Sequence, residues 1–431
     1  MTSKILHKIL KWLSTSIINK YHPEVIGITG SIGKTSTKEA ITCVLQSRFK
    51  VRSNYKNYNN EIGLPLTIIG IEKSPGRSVV GWLKVFYQGL KLVYSDYKDY
   101  PEILVLEMGA DKPGDIKYLV EIAPCRVGVL TYISHAHTEY FKTIKRIAQE
   151  KRIIISHLNE DGTAVLNFDN PLVMESSSVT KASKITYGFK EGADLRATDV
   201  NILYEDGEIL PRGLNFKVSH GGSIVPVLMP GFLSNATIPA ALAGLAVGTI
   251  YEINLVDGAE ALKKMKPLAG HMRPLLGIKN TLIIDDSYNS SPDPVKSALE
   301  VFASLPKING SKKIAALGDM LELGPETEHA HREIGFKVVE NGIDFLVTVG
   351  EASKQTAAAA KEAGLSEDCV ASFATSAEAG KFIQEKIKEN DKILVKGSQG
   401  SRMEKIVKEI MAEPLEANNL LVRQDGVWLN K

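Results

Sequence analysis

Thr29-Gly30-Ser31-Ile32-Gly33-Lys34-Thr35-Ser36-Thr37 decides how the rest of this chain is read. A short apolar run, Val25-Ile26-Gly27-Ile28, precedes it, and a helical pattern, Lys38 to Leu45, follows. Strand, glycine turn and helix N-terminus in that order form an anion cradle. Loop N–H groups converge on phosphate oxygens, a lysine supplies a point charge, and the hydroxyl beside it can hold Mg²⁺. Gly30, Ser31, Gly33, Lys34, Thr35 and Ser36 are therefore the expected contacts to a nucleotide triphosphate. The spacing Gly30-x-x-Gly33-Lys34-Thr35 departs from the common phosphate loop, because Ile28 stands where its first glycine would be.

A chain of 431 residues has room for two or three domains with their own cores. It is 44% apolar and 24% charged with a net charge of +2, which lacks the basic excess of a nucleic-acid binder. Cys43, Cys125 and Cys369 lie too far apart for metal or redox spacing and read as reduced thiols of a cytosolic protein. No apolar stretch reaches the ~18 residues that span a bilayer. Near the start, Ile5, Leu6, Ile9, Leu10, Leu13 and Ile17 recur at helical spacing, with Lys4, Lys8, Lys11 and Thr15 opposite. Two readings stand for residues 4–18: packing on the body of the protein, which is preferred, or weak association with an anionic membrane surface. Val79 to Tyr94, with Trp82, Phe86 and Tyr87, carries the same ambiguity.

From Pro23 to about Asn170 strands alternate with helices. Strands are expected at Glu24–Thr29, Ile103–Glu107, Val127–Thr131 and Ala164–Asn167, and helices at Lys34–Arg48, Gly114–Ile122 and Lys142–Leu158. The alternation predicts an α/β fold with a parallel sheet covered on both faces. Between Lys184 and Pro230 short alternating runs with glycine turns suggest a small antiparallel β insertion. A helix follows over Ile238–Gly248. After a break at Pro267–Pro274 come strands Leu282–Asp285, Ile314–Leu317, Phe345–Val349 and Ile393–Val395, a second, Rossmann-like α/β domain. The expected organisation is an N-terminal amphipathic helix over 1–23, a central P-loop-type ATPase domain over 24–268 and a C-terminal domain over 269–431.

Two further signals sit just after strands. Glu107, in Leu104-Val105-Leu106-Glu107-Met108-Gly109-Ala110, emerges where a carboxylate can reach Mg²⁺ beside the phosphate loop. Thr131-Tyr132-Ile133-Ser134-His135-Ala136-His137-Thr138-Glu139 carries two alternating histidines with no third zinc ligand nearby. With Lys151, these blocks are joined in order by Asn57-Tyr58-Asn59-Asn60-Glu61-Ile62-Gly63-Leu64-Pro65, Asp285-Asp286-Ser287-Tyr288-Asn289, Gly318-Asp319-Met320-Leu321-Glu322-Leu323-Gly324 and Val395-Lys396-Gly397-Ser398-Gln399-Gly400-Ser401-Arg402-Met403-Glu404. The series resembles the Mur ligases over residues 24–415, and within them the branch that adds D-alanyl-D-alanine to a UDP-linked muramoyl tripeptide in peptidoglycan precursor synthesis.

The resemblance implies an ATP- and Mg²⁺-dependent amide ligase that works through an acyl phosphate. It makes Lys34, His137, Lys151 and Arg273 catalytic, and places Thr35, Glu107, His137 and a carbamylated Lys151 around metal. Asp286 then contacts the nucleotide, with Asn235 as a substitute adenine contact. Asn57, Asn59, Asn60, Tyr288 and Asn289 face the peptide and amino-sugar substrates. Arg273 is implied to reach the phosphates as the domains close, in a monomer. Three departures are noted. Only about 23 residues precede the phosphate loop, where the branch carries a UDP-binding domain. The family's adenine-side histidine-asparagine pair is replaced along Gly231–Thr237, and Asn54 stands where threonine is usual. Other readings are a ligase acting on a carrier without UDP, or a lapsed nucleotide-binding scaffold; a scaffold has no use for second-metal ligands.

Overall fold

The computed structural model describes residues 3–55, 58–134, 141, 143–205, 207–308, 310–424 and 428. They form two compact units, the first from residues 1–201, 215–229 and 235–265, the second from 202–214, 230–234 and 266–431.

The first unit opens with helix α1 (Ser3–Tyr21), strand β1 (Glu24–Thr29), α2 (Lys34–Leu45), β2 (Val51–Ser53), α3 (Gly63–Ile69), α4 (Val79–Tyr94), β3 (Ile103–Glu107), α5 (Asp115–Ile122) and β4 (Val127–Leu130). β5 (Thr163–Asn167), β6 (Ser183–Gly188), β7 (Leu195–Leu203), β8 (Gly213–His220) and β9 (Ser223–Pro230) extend the same sheet. Its order is β2-β3-β1-β4-β5-β6-β7-β8-β9. β1 pairs in parallel with β3 on one side and β4 on the other, so the chain reverses its winding direction at β1. Such a switch point opens a crevice at the carboxyl ends of the strands, where the phosphate loop leaves β1.

β1, β3, β4 and β5 are buried on both faces over most of their length, so they read as largely apolar runs. On one face, Leu104 and Leu106 of β3 meet Leu64 and Leu66 of α3, Val85 and Leu92 of α4, and Leu10, Leu13 and Ile17 of α1. α1 is thus part of the core, as the packing reading expects. Its Leu13 touches Gly89 of α4, where a side chain would be within 2.9 Å of it. Lys20 and Tyr21 then close the C-terminus of α4, each donating to the Leu92 and Ser95 carbonyls. The opposite face is covered by α2 and the helix Ile238–Ile250, whose Gly244 lies directly on Ala40.

Two expectations need correction. β6 is not part of a separate antiparallel piece; it pairs in parallel with β5 through Asn167↔Tyr187. An uncovered β5 edge would expose unpaired backbone groups, and the short Pro171–Glu175 crossover lets β6 cover it. β8 and β9 do form the expected hairpin, turning on Gly221 and Gly222, both at positive φ. The helix expected over Lys142–Leu158 is two, Ile144–Lys151 and Ile153–Ser156, broken at Arg152 where the β-branched run Ile153-Ile154-Ile155 begins.

In the second unit, β10 (Arg273–Gly277), β11 (Thr281–Asp286), β12 (Lys313–Gly318), β13 (Phe345–Val349), β14 (Val370–Phe373) and β15 (Lys392–Lys396) are ordered β10-β11-β15-β12-β13-β14. Only β10 is antiparallel to its neighbour. Alternate residues of β11 serve opposite cores: Leu282 and Ile284 meet Leu299, Phe302 and Val338, while Ile283 meets Ile383, Ile406 and Val407. This is a doubly wound three-layer arrangement.

Because Leu13 is buried where α1 packs on α3 and α4, Leu13→Ala should lower the unfolding free energy by about 2–5 kcal/mol in urea titration. A loss below about 1 kcal/mol, the range of exposed positions, would show that α1 does not belong to this core.

Candidate active site

Three strand ends meet at Gly30. The loop leaving β1 passes so close to Thr131, just after β4, that a Cβ on Gly30 would overlap its Oγ1. Thr131 Oγ1 donates to the Ile32 carbonyl at 2.7 Å. The Ser31 N–H donates to the Tyr132 carbonyl at 2.6 Å, and the Ser31 hydroxyl to that of Ser134 at 3.1 Å. Gly33, at φ 82°, turns the loop into α2, a conformation glycine adopts without strain. The cradle is fixed from the β4 side, a role for Thr131 and Ser134 that the sequence reading did not assign.

Lys34 starts α2 and folds back over the loop, donating to the Gly30 carbonyl at 3.0 Å. Lys151 reaches the same carbonyl from the helix Ile144–Lys151, at 2.9 Å. Two amines on one carbonyl in a buried place are an unusual concentration of charge. Burial lowers Lys34 despite Glu107 and Asp111. Burial, with the Lys34 charge second, lowers Lys151 from 10.5 to about 8. Glu150, next to Lys151 and itself buried, accepts from the Gly114 and Ile116 N–H groups at the start of α5. It thereby ties the helix that carries Lys151 to the site.

Glu107, at the end of β3, faces the same loop. Its carboxylate accepts from the Thr35 hydroxyl at 2.9 Å and from the Asn59 amide at 2.8 Å. Asn54, set aside above as a departure, holds Glu107 from behind: its side-chain oxygen accepts from the Glu107 N–H, and its amide donates to the Glu107 and Tyr58 carbonyls. Lys38 of α2, buried, donates to the Asn54 carbonyl at 2.7 Å. A cavity of about 130 Å³ opens beside these groups, lined by Lys34, Asn59, Asn60, Asp111, Tyr118 and Lys151 among others. Asn60 also accepts from the Ile62 and Gly63 N–H groups at the start of α3, a turn-forming role.

Lys34, Thr35, Asn59, Asn60, Glu107 and Lys151 are thus brought together. Asn57 and His137 lie outside the described residues. Asn235 is exposed in a short turn ahead of the helix Ile238–Ile250 and does not line that cavity.

The second unit has its own polar cluster at the carboxyl ends of β11 and β15. Asp286, buried, pairs with Lys396 at 2.7 Å and accepts from the Met272 N–H. Burial raises the Asp286 carboxyl against the pull of Lys396. Asp285 is pushed up to about 6 by burial, while accepting from the Ser287 hydroxyl and the Gly270 N–H. Tyr288 stacks on His271 at 4.6 Å, and Arg423 donates to the Ser287 and Tyr288 carbonyls. Arg273, half-buried, donates to the Leu420 carbonyl. A cavity of about 650 Å³ lies beyond, lined by Asn289, Leu321, Ser398, Gln399, Arg402 and Trp428 among others. Arg402 Nε pairs with buried Glu404, while its Nη1 is buried without a hydrogen-bond partner among the described residues.

A phosphate cradle at a sheet switch point, with a carboxylate, a half-buried amine and a buried one around it, defines a nucleotide-dependent α/β enzyme. Comparison with known proteins agrees. The Mur ligase middle domain matches residues 28–80 and 87–243, and the Mur ligase glutamate ligase domain matches 272–399. The UDP-N-acetylmuramoyl-tripeptide–D-alanyl-D-alanine ligase of Bacillus subtilis is 30% identical over 406 residues, covering 94% of this chain and 80% of that protein. The ligase of the same name from Escherichia coli is 29% identical, covering 90% of this chain and 76% of its own. The MurF ligase of Thermotoga maritima, solved in complex with ADP, superposes with a TM-score of 0.73 at 27% identity, over 96% of this chain and 84% of that one. The chain belongs to the Mur ligase family and is an ATP-dependent ligase.

Asn54→Ala should leave the Glu107 N–H without its partner at a cost of about 1–3 kcal/mol in stability. It should also weaken nucleotide binding in calorimetry, because Glu107 loses its backing. Unchanged nucleotide affinity in a folded variant would remove Asn54 from the account.

Proposed function

We propose that this protein joins D-alanyl-D-alanine to a UDP-linked muramoyl tripeptide at the expense of ATP. The reading is carried by one observation: Lys34, Thr35, Glu107 and Lys151 converge on the turn at Gly30. A carboxylate and a triphosphate repel each other, so transfer between them needs fixed positive charge and oriented N–H groups. Lys34 and the loop supply both. The γ-phosphoryl group passes to the substrate carboxylate, giving an acyl phosphate and ADP. The dipeptide amine then attacks that carbonyl carbon, and phosphate leaves as the amide forms.

Mg²⁺ suits the donors present, since Thr35 and Glu107 offer hard oxygens 2.9 Å apart beside the cradle. Bound there, it would neutralise charge on the phosphates. Lys151 is the proposed carbamylated residue. Carbamylation needs the neutral amine, and at pH 7 a lysine titrating near 8 is about one-tenth neutral, against roughly one in three thousand at the ordinary value. His137 remains a proposed metal-side residue. In the second unit, Asp286 and Arg273 are the proposed nucleotide contacts, and Tyr288 and Asn289 the proposed dipeptide contacts. The 650 Å³ cavity fits the dipeptide end, with Arg402 of its lining as the cation for its carboxylate.

With ATP, UDP-muramoyl tripeptide and D-alanyl-D-alanine, mass spectrometry should show the tripeptide gaining one dipeptide less one water. Arg402→Gln should raise the KM for the dipeptide about ten- to hundredfold, the span of a charged hydrogen bond, with the KM for ATP unchanged. Product from another amine or carrier, and none from these substrates, would overturn the substrate assignment.

For Lys151 the sign of the pH effect follows from its lowered pKa. The neutral amine gains population as pH rises towards 8, so at fixed dissolved CO₂ a ¹³C carbamate signal should grow between pH 6 and 8.5 and then level. Lys151→Ala should lose both signal and activity, with short carboxylic acids restoring part of the latter. A fully active enzyme without a carbamate signal would remove this role.

A further inference from the structure

α4 is apolar on two sides, and only one of them is used. Val85, Gly89 and Leu92 are buried against α1 and α3. The outward side shows Val79 at 74% exposure, Val80 at 64%, Leu83 at 61%, Tyr87 at 70% and Tyr94 at 76%, with Leu90 at 41%. On a helix of 3.6 residues per turn these six positions fall within an arc of about 100°. A helix apolar nearly all round, standing at a protein surface, needs a second apolar environment. Beside it on α1, Ile5 and Trp12 are also exposed.

The charges on the stripe's own helix have one sign, and the neighbouring acids Glu72, Asp96 and Asp99 stand beyond its ends. From Lys73 to Ser95 the chain carries Lys73, Arg77, Lys84 and Lys91 and no carboxylate. All four cations are exposed, and Lys84 and Lys91 border the stripe on α4. α1 carries no carboxylate either, and its Lys8 is exposed between Ile5 and Trp12. A second copy seated on the same stripe would bring Lys84 and Lys91 against their like, with no acid on α4 to answer them. An anionic lipid surface answers all of them, and its headgroup region takes up tyrosine and tryptophan. Sixteen residues make about 24 Å of helix, short of the ~30 Å hydrocarbon core, and no helix among the described residues is long and apolar enough to cross a membrane. The geometry describes a helix that lies in the interface.

We infer that the outer face of α4, bordered by Lys84 and Lys91, is a docking surface for an anionic lipid bilayer. It differs from the reading of residues 4–18 as the anchor, because the apolar face of α1 is consumed in the core and α4 presents the larger free one. It is independent of which substrate the enzyme joins.

Flotation of the full chain with vesicles tests it. Vesicles of phosphatidylcholine with one-third phosphatidylglycerol should carry the protein, and pure phosphatidylcholine should carry at least tenfold less. Lys84→Gln with Lys91→Gln should weaken binding to the anionic vesicles about 25-fold, at about fivefold per lysine near a charged surface. Leu83→Glu with Tyr87→Glu should abolish binding while ATP-dependent ligation in solution and thermal stability stay at wild-type level. Light scattering alongside separates the competing occupant. Failure to float on anionic vesicles, whether the protein is monomeric or pairs through α4, overturns the proposal, as does undiminished flotation of the Leu83→Glu, Tyr87→Glu variant.

Discussion

The closeness of Gly30 to Thr131 is the constraint on which the site depends. Two parallel strands diverging from a switch point leave a crevice, but a crevice alone does not aim backbone N–H groups at one place. Here the turn after β1 is pressed onto the end of β4, with no space for even a methyl group between them. Its Ser31 and Ile32 groups are taken up by hydrogen bonds to and from Tyr132, Ser134 and Thr131. The Gly30 carbonyl is left to receive Lys34 and Lys151. Fixing the cradle in this way means that little reorganisation remains when charge develops on a bound phosphate, the condition under which fixed dipoles are most effective.

The same fixing explains why buried charge is tolerated. Lys34 and Lys151 repel each other, and burial disfavours both in their charged forms. Glu107 and Asp111 oppose this for Lys34, while Glu150 and Asp111 do so for Lys151. A bound triphosphate adds to this opposition for Lys34, because negative charge beside it favours the charged amine. The weak adenine-side motif along Gly231–Thr237 is consistent with binding dominated by phosphate.

Much of this was legible in the sequence, for identifiable reasons. β1, β3 and β13 were readable to the residue, since parallel strands buried on both faces are unbroken apolar runs between polar loops. β2, α3, β10 and β14 were not: they are three to seven residues long, too short for a periodicity to show, and the three strands are only partly buried. The phosphate loop and Glu107 announce themselves by motif and position. Asn54 does not, because its value lies in bonds to Glu107, 53 residues away, that no local pattern encodes. Arg402 carries no local signal of a role, because what marks it is its place in the lining of a cavity that the fold creates. The outer face of α4 was visible as an apolar helix; which of its sides is buried depends on α1, and only the fold decides that.

The central claim is that the groups around Gly30 activate a carboxylate by phosphorylating it. Transfer of ¹⁸O tests this most directly. With the terminal carboxylate of the muramoyl tripeptide labelled, ligation through an acyl phosphate should deliver one labelled oxygen to the released inorganic phosphate for each amide formed. Phosphate free of label, at full turnover to amide, would contradict the account.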